Sequence, residues 1–391
     1  MSHMVISGNQ RLIRNVNRVA ILRALRADDG LSRADLSERL GLTRSAIGRL
    51  VDGLITDGWL EEGESVALGA LGRRPTPLRL DESRLVLLGA DINGERLRMV
   101  ATSITGELHE SLDQPTLGMD ADAVVALLAA AVVRLVRKFR SARRRVCGLG
   151  IAVPGTVDAI AGVLRYSDST GWRNLPVVQM LRERLKPVGC GGMPIVMERA
   201  VNCVVMQFAE AGPLPEQRAL GYLHVGQKIA FAAVADGRLV RGRQGVAGSV
   251  GHQQVLPDGP PCTCGRQGCA NAVLTLNWLQ RELGVDAAGL EARLACDDET
   301  VRAALDRMSE ALAGFLHNLV QIFDCSQLLL GGSAIQLGDA FFTGLQQRCS
   351  ALGGRVSVNL QPVTLGAYSA AQGAASLMLN QLLDVCSEQQ G

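Results

Sequence analysis

The sequence predicts an α/β protein whose first eighty residues form a separate helical unit, and three observations carry that prediction. Residues 17–55 repeat apolar positions at helical spacing between glycine breaks. From Leu85 onward, short apolar runs alternate with longer helical segments. A chain of 391 residues, 47% of them apolar, exceeds what one core organises, so two or three domains are expected.

Asn17 to Leu25 places Val19, Ile21, Leu22 and Leu25 on one helical face, and Asp28-Asp29-Gly30 ends the segment. Ser32-Arg33-Ala34-Asp35 has the capping-box form, a hydroxyl at N-cap with a carboxylate three residues on, and opens a short helix through Leu36 and Leu40. After Gly41, Thr43 caps a third helix with Ile47, Leu50, Val51, Leu54 and Ile55 on its apolar face and Gly58 beyond its end. Its opposite face shows Arg44, Ser45 and Arg49.

Two short helices about a glycine turn, the second with a polar N-terminal end, form a helix-turn-helix. The face from Thr43 to Arg49 has the chemistry for a major groove, because arginine can pair with guanine edges while hydroxyls serve phosphates or bases. Trp59-Leu60 and Leu78-Arg79-Leu80 read as short strands around a loop containing Arg73 and Arg74, the pattern of a wing that enters the minor groove. The competing reading is a three-helix protein-interaction module with solvated arginines. Residues 1–80 carry twelve Arg, no Lys and nine acids, a balance of +3.

In the body, Leu85 to Ile92, Leu97 to Ile104, Cys147 to Val153, Ile195 to Met197, Ala219 to Val225, Ile229 to Val234 and Gln327 to Leu330 read as strands. Ala121 to Arg140 reads as an amphipathic helix with a basic end, and Leu305 to Ile322 and Ala370 to Leu383 as further helices. With no membrane-span or secretory pattern, a soluble cytoplasmic protein is expected. Of ten cysteines only Cys262, Cys264 and Cys269 cluster. Their C-x-C-x4-C spacing, ten residues after His252, supplies a Cys3His set suited to a tetrahedral structural zinc ion. A redox-active or merely buried thiol cluster is the alternative.

Several motifs together resemble the ROK family of repressors, open reading frames and sugar kinases. They are Pro154-Gly155-Thr156-Val157-Asp158, Gly171-Trp172, Gly245 to His252, the Cys262 to Cys269 run, and Gly331-Gly332 after a strand. The resemblance covers nearly the whole chain and implies a winged helix-turn-helix followed by a two-lobed, actin-like, ribonuclease H-like body. It also implies His252, Cys262, Cys264 and Cys269 on the metal, and a homodimer or tetramer acting on a near-palindromic operator of double-stranded DNA. The expected domains are 1–82 for DNA, 83–196 for the first lobe completed by helix 370–391, and 197–369 for the zinc-bearing lobe.

The kinase chemistry of that family is expected to be lost. Its first phosphate loop, D-x-G-G-T, corresponds to Asp91-Ile92-Asn93-Gly94-Glu95, and its second, G-T-G-x-G, to Gly226-Gln227-Lys228-Ile229-Ala230. The catalytic Asp of its E-N-D-A-N run corresponds to Ala200, which accepts no proton. The expected function is a non-catalytic, DNA-binding regulator, a repressor of carbohydrate-related genes; residual sugar kinase activity is the runner-up.

The family's sugar contacts map onto Arg199, Ala200, Ser249, His252 and Asn271, with Asn202 beside them and Ser169 and Trp172 on a covering loop. Loss of three carboxylates and gain of Arg199 point to a sugar acid or sugar phosphate in place of a neutral sugar. Alternatively Arg199 is structural, pairing with Glu198 or Glu210; separately, the cleft holds no small ligand, or a protein partner supplies the signal. Trp172 either stacks on a ligand or packs.

Overall fold

The computed structural model describes residues 10–64, 76–211, 219–296, 298–325, 327–353 and 357–388. They divide into two compact units, the first within Met1–Val153, Ala159–Glu198 and Ala374–Gly391, the second within Pro154–Asp158 and Arg199–Gly373.

The first unit begins with α1 (Gln10–Ala27), α2 (Arg33–Leu40) and α3 (Arg44–Thr56), followed by the antiparallel strands β1 (Leu60–Glu62) and β2 (Leu78–Leu80). Helix α1 starts seven residues before the expected Asn17, and the first strand opens at Leu60 instead of Trp59. At α2 the Ser32 Oγ accepts from Asp35 N at 3.3 Å while the Asp35 carboxylate accepts from Ser32 N at 2.8 Å, which completes the capping box. Gly41, at φ +66°, closes the helix in the left-handed region where a side chain would be strained.

Then come β3 (Leu85–Ile92), β4 (Arg96–Thr102), β5 (Leu108–Pro115), α4 (Ala121–Ser141), β6 (Arg145–Val153), β7 (Thr156–Asp158), β8 (Val163–Tyr166), β9 (Arg173–Leu175), α5 (Val177–Leu185) and β10 (Ile195–Arg199). The main sheet has the order β10-β6-β3-β4-β5: β3, β4 and β5 form an antiparallel meander, and α4 carries the chain across to β6, parallel to β3. Strand β5 had no apolar run to announce it, because it is an edge strand whose residues alternate between exposed and half-buried.

The second unit contains α6 (Ala200–Ala211), β11 (Ala219–Val225), β12 (Ile229–Ala235), β13 (Arg238–Leu239), α7 (Ala270–Val273), α8 (Leu276–Leu283), α9 (Ala287–Ala295), α10 (Glu299–Phe323), β14 (Gln327–Gly331), α11 (Gly338–Ala351) and β15 (Leu360–Pro362). Its sheet, β13-β12-β11-β14-β15, repeats the first one's logic: an antiparallel start, then a helical crossover to a strand parallel to β11. Helix α10 starts at Glu299, six residues before the expected Leu305, because Asp298 caps it by accepting from Thr300 N and Val301 N.

The final helix, α12 (Ser369–Glu388), supplies Ala375, Met378, Leu379 and Leu383 to the core that also holds Leu25, Leu36, Ile47, Leu54, Leu60 and Leu78 of the N-terminal elements. The last helix of the chain thus packs into the same apolar cluster as the first. No helix among the described residues is long and apolar enough to cross a membrane.

Candidate nucleic-acid interface and metal centre

Helix α3 buries Ile47, Leu50, Val51 and Leu54, which turns the rest of its surface outward. Thr43, Arg44, Ser45 and Arg49 are all exposed. Thr43 caps the helix by accepting from Ala46 N at 3.3 Å, and its hydroxyl lies 3.3 Å from that of Ser45. At the other side Arg33 of α2 pairs with Asp52 of α3 at 2.8 Å, which ties the two helices together. The expected wing residues Arg73 and Arg74 lie outside the described residues.

In the second unit, His252, Cys262, Cys264 and Cys269 meet, with their ligand atoms all within 4.8 Å of one another. Cys262 Sγ lies 3.5 Å from His252 Nδ1, and Cys264 Sγ 3.7 Å from Cys269 Sγ. A tetrahedral ion with zinc–sulfur bonds of about 2.3 Å sets its sulfur ligands about 3.8 Å apart, so the donor set fits in type and spacing. Hydrogen bonding from the Arg266 backbone, then from its side chain, lowers the Cys264 thiol to about 6, which favours the thiolate. The loop closes through Gly268, at φ +61°, whose added Cβ would stand 1.5 Å from Leu256 O.

The residues expected to meet an effector are divided between the units. Ser169 and Trp172 lie in the first, on a turn in which Ser167 N donates to Trp172 O at 3.1 Å and Trp172 N to Thr170 Oγ1 at 3.3 Å. Trp172 is half-buried and Ser169 exposed. Arg199, Asn202, Ser249 and Asn271 lie in the second.

Arg199 is buried, and its guanidinium donates to Ala247 O and, at 3.5 Å, to Gly248 O. Backbone carbonyls of the glycine-rich loop thus take part of the guanidinium's hydrogen bonding. Asn271 Oδ1 accepts from Ile229 N at 2.6 Å, so it braces the start of β12. Ser249 is exposed and Asn202 buried.

The loop corresponding to the first phosphate site is a self-contained turn. Asn93 Oδ1 accepts from Glu95 N at 3.1 Å and Arg96 N at 2.9 Å, leaving the Glu95 side chain exposed. Asp91 behind it is buried, and that burial, offset in part by Arg98, pushes its carboxyl up to about 7.

A family model described as the ROK family matches residues 88–381, most of the chain. The chain belongs to the ROK family. A second model, the HVO_A0261 N-terminal domain, matches residues 6–74 ahead of the ROK region. The xylose repressor of Bacillus spizizenii is 23% identical over 392 residues, covering 96% of this chain and 98% of that protein. The glucokinase of Halalkalibacterium halodurans is 22% identical over 289 residues, covering 68% of this chain and 85% of the glucokinase.

Among solved structures, a ROK family transcriptional regulator described as a homolog of the E. coli MLC protein superposes with a TM-score of 0.80 at 18% identity. It covers 95% of this chain and 97% of its own. At that identity the likeness establishes the fold alone. One feature beyond the sequence reading is where the basic segment after α4 lies: Arg145, at the start of β6, donates through Nη2 to Asp57 O, the C-cap of α3, at 3.4 Å. The sequence signal for it was the run of cations from Arg134 to Arg145.

Proposed function

We propose that the chain is a DNA-binding transcriptional repressor whose α1–α3 and β1–β2 form a winged helix-turn-helix, with α3 as the reading helix, and whose ROK body no longer transfers phosphate. The observation that carries this reading is the extent of the match to a xylose repressor. An alignment over 96% of the chain includes most of the residues before Leu85, whereas a glucokinase match covering 68% falls short of the whole. The exposed Thr43, Arg44, Ser45 and Arg49 on α3 have the donors and acceptors that base edges and phosphates require.

Several residues support the loss of catalysis. Ala200 has no proton acceptor where a general base is needed, and Glu95 brings negative charge to a loop that would have to hold phosphate. The Asn93 side chain also occupies two of that loop's backbone donors.

His252, Cys262, Cys264 and Cys269 would hold a structural zinc ion, which cross-links the loop and leaves no open position for substrate. The engagement of Arg199 and Asn271 with backbone favours a scaffolding role for both over direct contact with an anionic sugar. The signal, a sugar, sugar acid, sugar phosphate or protein partner, then acts through other groups. A symmetric dimer would present two α3 helices to a near-palindromic operator.

In vitro selection from random duplexes with the full chain tests this reading. Enrichment of a near-palindromic sequence whose affinity drops in Arg49→Ala is expected. Recovery of no preferred sequence would end the DNA reading, and ATP-dependent phosphorylation of a sugar by the purified chain would overturn the non-catalytic body.

A further inference from the structure

The outer face of α4 and the turn behind it concentrate positive charge that the reading of α3 leaves unused. Residues 134–145 hold seven Arg or Lys and no acid, in a chain whose net charge is only +2. Packing fixes where they point: Leu135 and Phe139 are buried, while Arg137, Arg140 and Arg143 are exposed. Among the described residues, the one carboxylate ion-paired to this run is Glu110 of β5, which takes Lys138 and, at 3.9 Å, Arg134.

Lys138 and Arg140 lie in the last turn of α4, where a cation favours the helix dipole. The dipole does not account for Arg143, which sits beyond the helix end at φ +59°. Glycine takes that conformation without strain and other residues adopt it at a cost, so the position trades backbone stability for a positive charge. Next to it, Arg145 reaches the C-cap carbonyl of α3. Through Arg145 the cationic run therefore meets the C-terminal end of the reading helix, opposite Thr43, within the same unit.

We propose that this surface is a second DNA contact, holding backbone phosphates of the duplex that flanks the sequence read by α3. The proposal rests on the DNA-binding reading above and adds a site to it. Duplex DNA carries one negative charge per about 1.7 Å of axis, a line to which a row of exposed guanidinium groups is complementary. Phosphate contacts of this kind raise affinity for any sequence and contribute no discrimination of their own.

The test is a salt titration of the full chain by fluorescence anisotropy on two duplexes recovered by selection. One extends two helical turns beyond the reading sites; the other is trimmed to them. In Arg137→Ser/Arg140→Ser/Arg143→Gly the slope of log affinity against log salt on the long duplex is expected to fall by about 2 to 3, and affinity at physiological salt about tenfold or more. The trimmed duplex is expected to bind the variant and the unaltered chain alike, with sequence preference kept.

Arg143→Gly alone is expected to unfold at a higher temperature yet bind the long duplex more weakly, which separates lost contact from lost folding. Equal slopes on the long duplex, with the unaltered chain preferring the trimmed site over a scrambled one, overturn the flanking contact and leave the reading of α3 standing. If the unaltered chain prefers no duplex over a scrambled one, the DNA reading itself fails. Loss of binding to phosphatidylserine vesicles with DNA binding unchanged would assign the surface to a membrane and also overturn the proposal.

Discussion

Gly150 of β6 lies so close to Ala374 of α12 that a Cβ added to it would stand 1.8 Å from the Ala374 carbonyl oxygen. No rotamer change relieves that contact, because the atom met is backbone. Gly150→Ala must displace α12, and overpacking of this kind typically costs about 1 to 3 kcal/mol or more. Denaturant unfolding is expected to show a lower midpoint, and an unchanged midpoint would mean the helix is free to move away.

The cap of α2 gives a local test. Ser32 and Asp35 satisfy each other's backbone N–H groups, and the hydrogen bond from Ser32 N holds the Asp35 carboxyl below its usual value. Ser32→Ala is expected to cost about 1 kcal/mol of stability, read as a lowered Tm. Ser32→Asp, which also caps, is expected to lose much less.

Asp91 makes stability depend on pH in the direction opposite to an ion-paired acid. Burial lifts its folded-state pKa to about 7 from 3.8, so between those values the folded chain holds a proton that the unfolded chain has released. Stability from this group is complete below the unfolded value and declines as pH rises through the folded one. Asp91→Asn cannot ionise. Its unfolding free energy is expected to be flatter between pH 5 and 8 and higher at pH 8, by up to about 4 kcal/mol. Parallel profiles for the two proteins would rule out a neutral, buried carboxyl.

Metal content is measurable directly. About one zinc per chain is expected by mass spectrometry, removal by a strong chelator is expected to lower Tm, and Cys264→Ser is expected to lose most of the metal. A chain purified with no metal and no chelator response would make the cluster a set of ordinary thiols.

On α3, Arg49→Ala is expected to reduce the preference for a selected operator over its single-base variants by about 1 to 3 kcal/mol, the usual worth of a bidentate base contact. A gel-shift comparison across variants reads this out. A uniform loss at every sequence would instead place Arg49 on phosphate.

Much of this was legible because local rules decided it. Ser32, Asp35, Gly41 and Thr43 announce three helix boundaries through capping chemistry confined to a few residues. Strands β3, β11 and β12 are marked by apolar runs because each is buried along nearly its whole length. The cysteine spacing likewise located the His252–Cys262–Cys264–Cys269 group.

What the sequence hid depends on contacts between distant segments. Strand β5 is polar because it forms a sheet edge, so no pattern marks it. Arg199 could be read as a ligand contact or as structural, and its engagement with Ala247 and Gly248 depends on a loop 48 residues away. Arg145 could be counted among a basic run, but only the fold brings it to Asp57.

The shared core of α1, α3 and α12 has a consequence for when the protein becomes competent. Arg26 of α1 donates to Asn380 of α12 at 3.2 Å, partners separated by 354 positions in the chain. The apolar cluster around the N-terminal helices lacks Met378, Leu379 and Leu383 until α12 has been synthesised. A chain interrupted before α12 therefore leaves part of that core exposed to water.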